Sequence, residues 1–265
     1  MKPLAHARRD VISLLSLLLI AAIVVLAQLS EGGRLRALLQ PTAALVVLGG
    51  TAAALLLSFP VPLLWRTWNA LGNVFRHMPE AERPLVTRFE RYAVIARRRG
   101  VAALENDFNA EPEPFLRRAL GLLVDGVTPP QMKEALGAFS RAREEADEEC
   151  ALVIETAAGY APTLGILGAV LGLIRVMESL ATPAGVGAGI AVAFVSTVYG
   201  VGAANLLLLP LASRLRSQAR NAAIGRELII EGVCAVQQRL HPHVVESHLA
   251  GFIRGRDRDR LQGVA

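Results

Sequence analysis

Residues 160–216 read YAPTLGILGAVLGLIRVMESLATPAGVGAGIAVAFVSTVYGVGAANLLLLPLASRLR, and the fold turns on how this stretch is understood. No charged residue occurs from 156 to 174, and none from 179 to 213. Each run offers the roughly 20 apolar residues that a bilayer-crossing helix needs. Pro183 and the glycines at 185, 187 and 189 set a turn between them, so the pair reads as a hairpin near 157–179 and 187–211. Gly165, Gly168 and Gly172 follow at spacings of three and four, which puts them on one helix face where a neighbouring helix can come close.

The second helix of this pair is mildly polar, with Ser196, Thr197, Tyr199, Gly200, Gly202 and Asn205. The hydroxyls of Ser196 and Thr197 either line a damp passage or bond back to their own helix, and the residues alone leave both open. Pro162, near the start of the first helix, and Pro210, near the end of the second, each remove a backbone donor. They read as tolerated kinks or as hinges.

Outward from this core, 11–30 and 37–65 are also free of charge, and SEGGRLRALLQP (30–41) connects them as a first hairpin. A signal peptide is the rival for 11–30, given Lys2, Arg8 and Arg9, but the apolar core is too long and no convincing small-x-small cleavage pattern follows. Mean hydropathy of +0.42 with only 5% aromatic residues fits Leu-, Ala- and Gly-rich helices in lipid better than a large soluble core. Between 66 and 150 the chain is charged and interrupted by prolines, with helical pieces at 88–99 and 131–150. After Arg214 it is again charged and amphipathic, and the end, RGRDRDRLQGVA, reads as disordered.

The fold class expected is therefore all-α: a polytopic membrane protein with four transmembrane helices in two hairpins plus a cytoplasmic helical domain. The divisions are 1–10 (cytoplasmic N-terminus), 11–65 (first hairpin), 66–155 (cytoplasmic helical domain), 156–213 (second hairpin) and 214–265 (cytoplasmic helix and tail). Lys and Arg concentrate in the N-terminus, the middle domain and the tail, with only Arg34, Arg36 and Arg175 near the hairpin tips. The positive-inside rule then puts both termini and the middle domain in the cytoplasm. The same rule accounts for the sequence pI near 9.8 without invoking nucleic acid.

The spans hold no ionisable side chain away from their ends, where Asp10, Glu155, Arg175 and Glu178 stand. An ion pathway usually needs such a group, so any carboxylate must come from another chain. Cys150 and Cys234 have no disulfide or zinc spacing. His241, His243 and His248 cluster around Pro242, as a polar turn or a metal site. No nucleophile–base pair, metal cluster or phosphate loop suggests an enzyme, and no cofactor is expected.

The stretch 160–216 closely resembles the last two spans of the MotA/PomA stator family: AP followed by a glycine face, a short Pro-containing loop, AVA..STVYG, and a closing PLA.RL. RRRGVAALE (97–105) and LLVDG (122–126) resemble its middle loop, and RELIIEGVCAVQ (226–237) with HPHVVESHL (241–249) its tail. The resemblance runs from about residue 38 onward and is weak over the first span.

It implies a pentameric ring of A subunits around two B subunits, each B subunit having one span with an essential Asp and a peptidoglycan-binding domain. It further implies that ion flow past that Asp turns the ring against the flagellar rotor switch protein, supporting motility and chemotaxis. By position, Pro162 and Pro210 fall on the family's functional prolines, and Thr197 on the threonine facing the ion path beside Ser196 and Tyr199. Arg97, Arg98 and Glu105 fall on or beside the loop charges that contact the rotor, although Glu105 pairing locally with Arg98 or Arg99 is the plainer alternative. Sodium-driven members carry Thr where this chain has Ala169, which favours a proton over sodium. The neighbouring ExbB/TolQ branch, which energises outer-membrane processes, is the alternative; its members typically have three spans, against the two hairpins here.

Overall fold

In the computed structural model, which describes residues 11–30, 32, 35–75, 82–178 and 183–252, every regular element is helical. Expectations for the N-terminal ten residues, Glu31, Gly33, Arg34, the loop 179–182 and the tail from 253 lie outside the described residues. In chain order the α-helices are α1 (Val11–Ser30), α2 (Pro41–Ala44), α3 (Gly50–Ser58), α4 (Val61–Asn73), α5 (Glu82–Arg99), α6 (Glu105–Ala110), α7 (Pro114–Val124), α8 (Pro129–Glu178), α9 (Pro183–Gly202), α10 (Leu209–Gln237) and α11 (Pro242–Ala250). Wider π turns join α2 to α3 (Leu45–Gly49) and α9 to α10 (Ala203–Leu208). Three stretches among the described residues are long and apolar enough to cross a membrane: Pro41–Ser58, Pro129–Glu178 and Val186–Gln237. α1 is a further 20-residue helix without charge.

Two differences from the sequence reading stand out. The uncharged run 37–65 is not one helix. Pro60 disfavours helical geometry in the residue before it, Phe59 adopts an extended conformation (φ −133°, ψ 145°), and α4 starts afresh at Val61. Conversely, the charged piece expected at 131–150 does not end there. It continues into the apolar stretch as the single 50-residue α8, because no helix-breaking sequence intervenes and Pro162 is accommodated inside the helix. The tail helix likewise grows directly out of the apolar stretch through the π turn.

The chain divides into two compact units. The first comprises residues 1–77 and 147–217, the second 78–146 and 218–265. Residues 66–75 and 147–155, grouped by the sequence with the charged domain, thus belong to the first unit. Arg66 pairs with Asp147 there at 2.8 Å, and Val74, Ala151, Ile154, Ala212 and Leu215 form a small buried cluster.

In the first unit, α2, the π turn after it and α3 pack on α8 and α9, with Val47 buried against Ala158, Ala161 and Ala204. Trp65 and Trp68 on α4 are 67% and 69% exposed, a pattern suited to the boundary between water and lipid.

The second unit has an ordinary large-side-chain core: Phe89 and Tyr92 from α5, Leu116, Leu120 and Leu123 from α7, Met132 and Leu136 from α8, Leu228 and Val233 from α10, and Leu249 from α11. Phe89 and Tyr92 meet edge to face, with ring centroids 5.8 Å apart. Glu113 caps α7 by accepting from the Phe115 and Leu116 amides, and the buried Glu111 pairs with Arg88.

Candidate functional site: an uncharged helix pair and a braced basic corner

The α8–α9 contact is built on small residues from both sides. A β-carbon added at Gly165 would lie 2.9 Å from the Ser196 carbonyl oxygen, and one at Gly168 would lie 2.6 Å from Ser196 Oγ. At Gly172 it would lie 2.6 Å from the Ala193 nitrogen. The opposing helix answers with Gly189, against Gly172 and Val176, and Gly200, where a β-carbon would lie 2.5 Å from the Ala161 oxygen and 3.1 Å from Pro162 Cα. This register makes the two helices antiparallel and brings their backbones into direct contact. The sequence reading placed Gly189 in the turn and Gly200 in the mildly polar helix, and assigned neither to this contact. Their spacing of three helical turns on one face was the available signal.

Ser196 belongs to this contact. It is fully buried under Gly168, and its hydroxyl donates to the Val192 oxygen at 2.7 Å. Thr197 also bonds back to its own helix, to the Ala193 oxygen at 3.3 Å, but lies on the exposed edge of α9. A hydroxyl that donates to its own helix still offers lone pairs outward. Tyr199 spends its hydroxyl on the Leu38 carbonyl, tying α9 to the 3-10 turn at Leu35–Leu38.

Pro162, Gly165, Thr197 and Gly200 thus meet in one zone. Ala169 lies two turns further along α8, half-buried, next to Gly168. Pro210 is exposed and stands two residues past the π turn, as the second residue of α10. The wider hydrogen-bonding of a π turn leaves room for a ring that cannot donate and would otherwise press on the preceding turn. The edge carrying Pro162, Ala169 and Thr197 has no charge of its own. At the end of the pair nearer the chain's charged segments, Glu155 and Arg216 form a two-pronged ion pair at 2.6 and 2.7 Å. Arg216 holds the Glu155 carboxyl below its ordinary range.

In the second unit, Arg97, Arg98 and Arg99 end α5, where cations suit the helix terminus. Gly100, at φ +84°, turns the chain in a conformation that L side chains rarely adopt, and a 3-10 turn (Val101–Leu104) leads to Glu105 at the start of α6. All three arginines and Glu105 are exposed, and none pairs with a described residue. The pairing considered for Glu105 with Arg98 or Arg99 is therefore not made. Ion pairs Arg88–Glu111 and Arg91–Asp107 brace this corner instead. Among the described residues no group of three His, Cys, Asp or Glu is placed to hold a metal. His243 and His248 lie beside Glu246 and Glu231.

Long apolar helices, backbones joined through glycine and an uncharged edge with a hydroxyl define a helical membrane protein. The model of the MotA/TolQ/ExbB proton channel family matches residues 108–227. Motility protein A of Bacillus subtilis is 29% identical over 94% of this chain and 93% of its own length. Motility protein A of Treponema phagedenis is 30% identical over 82% and 84%. The solved structure of C. jejuni MotAB superposes with a TM-score of 0.87 at 27% identity, covering 94% of this chain and 97% of that one. The chain belongs to the MotA/PomA family within that channel family.

Proposed function

We infer that this chain is the ring-forming A subunit of a flagellar motor stator and that the ion it couples to torque is a proton. The stator role follows from near full-length similarity to motility protein A chains and to solved MotAB structures, one of them titled as the flagellar MotAB stator complex of Bacillus subtilis. The chain is a motor component and not an enzyme. A B subunit is its partner, and the chain works in an oligomeric assembly with it.

The observation that carries the mechanism is the uncharged, partly exposed edge of Pro162, Ala169 and Thr197 on a backbone-packed helix pair. Such an edge can contact a moving carboxylate without trapping it in an ion pair, and the carboxylate is the essential Asp on the B subunit's single span. Five copies would surround two such spans, with the peptidoglycan-binding domain of B as anchor. Ala169 offers no hydroxyl where sodium would need one more oxygen ligand, whereas a proton needs only an acid and water. The braced corner with Arg97, Arg98 and Glu105 is the surface offered to the rotor switch protein. Four spans, lipid contact along the apolar helices and cytoplasmic termini in the inner membrane complete the reading, in line with the placement of Lys and Arg.

The test is swimming in a strain lacking its own stator, complemented with this chain and its B subunit, with and without sodium. Motility that persists without sodium and collapses with a protonophore is the expected result. Motility only with sodium overturns the proton assignment. No motility in either buffer, with both chains in the membrane, points to the ExbB/TolQ kind of transport motor.

A further inference from the structure

Glu155, Pro162 and Ala169 stand at seven-residue intervals along α8, and seven residues return a helix to nearly the same face. All three are half-buried, whereas Ala161, Gly165 and Gly168, one position around, are buried in the contact with α9. From 156 to 174 and from 183 to 213 no acidic, basic or histidine side chain occurs, so Glu155 is the first carboxylate met beyond the uncharged edge. Its side chain is 33% exposed and that of its partner Arg216 is 40% exposed, so neither is sealed by the chain's own packing.

We propose that Glu155, oriented by Arg216, is the relay through which protons leave the uncharged edge for the cytoplasm, an inference that rests on the proton-driven reading above. A water-borne proton adds to one carboxylate oxygen and departs to bulk water. No other bond changes, and Arg216 keeps its charge throughout. The two-pronged contact fixes the carboxylate in line with Pro162 while leaving lone pairs free to accept. A carboxyl held low by a guanidinium gives its proton up readily at neutral pH, which suits an exit and would not suit a storage site.

The neighbouring charges are already engaged. Arg66 pairs with Asp147, Arg214 Nε donates to the Val74 oxygen at 3.0 Å, and Glu148 acts on Arg216. The pair could instead be only a brace between α8 and α10, and the variants below separate the two roles.

The experiment measures proton flux and swimming speed of the complete stator, sodium-free, with membrane level and assembly followed in parallel. Glu155→Gln should lower flux by about tenfold or more with assembly retained, and Glu155→Asp should keep most of it while shifting its dependence on cytoplasmic pH. The exchange Glu155→Arg with Arg216→Glu rebuilds the ion pair but moves the carboxylate to α10, and it should not restore flux. Wild-type flux in Glu155→Gln, or full recovery in the exchange, overturns the relay. If Glu155→Gln fails to assemble, an unshifted pH profile in Glu155→Asp overturns it as well. A sodium requirement in the unaltered stator would instead sink the proton reading beneath it.

Discussion

Between α8 and α9, contact is made by side chains that are missing; in the core of the second unit it is made by side chains as large as phenylalanine and tyrosine. Gly165, Gly168, Gly172, Gly189 and Gly200 let backbone meet backbone, while Phe89, Tyr92, Leu116 and Leu228 fill volume. The difference follows from the solvent. In water, burying a large apolar side chain is itself the driving force. In lipid the tails are as apolar as leucine, so helices gain by close approach and dispersion, and bulk only holds them apart. Each unit is therefore sensitive to the opposite error, excess volume in one and lost volume in the other.

The largest effect should come from adding a single methyl to the helix pair. Gly200→Ala sets a β-carbon 2.5 Å from a backbone oxygen and 3.0 Å from Gly165 Cα, contacts that no rotamer change can relieve. Assembled protein, followed by size-exclusion chromatography in detergent, should be lost. Survival of a normal assembly would break the comparison.

Next in size is volume removed from the second unit. Leu116→Ala, at a position 1% exposed, should cost about 2–5 kcal/mol and lower the midpoint of thermal unfolding. The same truncation at Leu173, which is 54% exposed on α8, should leave the midpoint almost unchanged.

Gly168→Ala sharpens the rule. Its new methyl meets Ser196 Oγ and Cβ, a side chain and not backbone, so the damage should be smaller than at Gly200. Adding Ser196→Gly should restore much of the lost stability, as a double-mutant cycle can measure. No recovery in the double variant would show that the contact is not confined to this pair.

The smallest effect is chemical. Burial pushes the Cys234 thiol up to about 11. As the thiolate is the reactive form, alkylation of Cys234 in mildly alkaline buffer should be slower than that of a free thiol by on the order of a hundredfold. Unfolding should abolish the protection.

The all-helical class, the long apolar helices and the glycine face of α8 were legible in the sequence, because hydropathy and helical spacing are local properties. So was the family, carried by 160–216. The break at Phe59–Pro60 was readable in principle from the proline and was passed over, since an uncharged run looks like one span when only charge is followed. The continuity of α8 was hidden for the converse reason: a change from charged to apolar composition looks like a boundary, yet the backbone takes no notice of it without a breaker.

By itself, then, the sequence determined which segments are apolar, which faces carry glycine, and that no carboxylate lies within the spans. Tertiary structure alone decided that Ser196 is packing while Thr197 stays at the edge, that Tyr199 binds the Leu38 carbonyl, that Glu105 pairs with no described residue beside a corner braced by Arg88 and Arg91, and that Glu155 meets Arg216. Each of these depends on which residue distant in sequence arrives opposite. Helical periodicity fixes the face on which a side chain stands, but only the register between helices fixes what it touches.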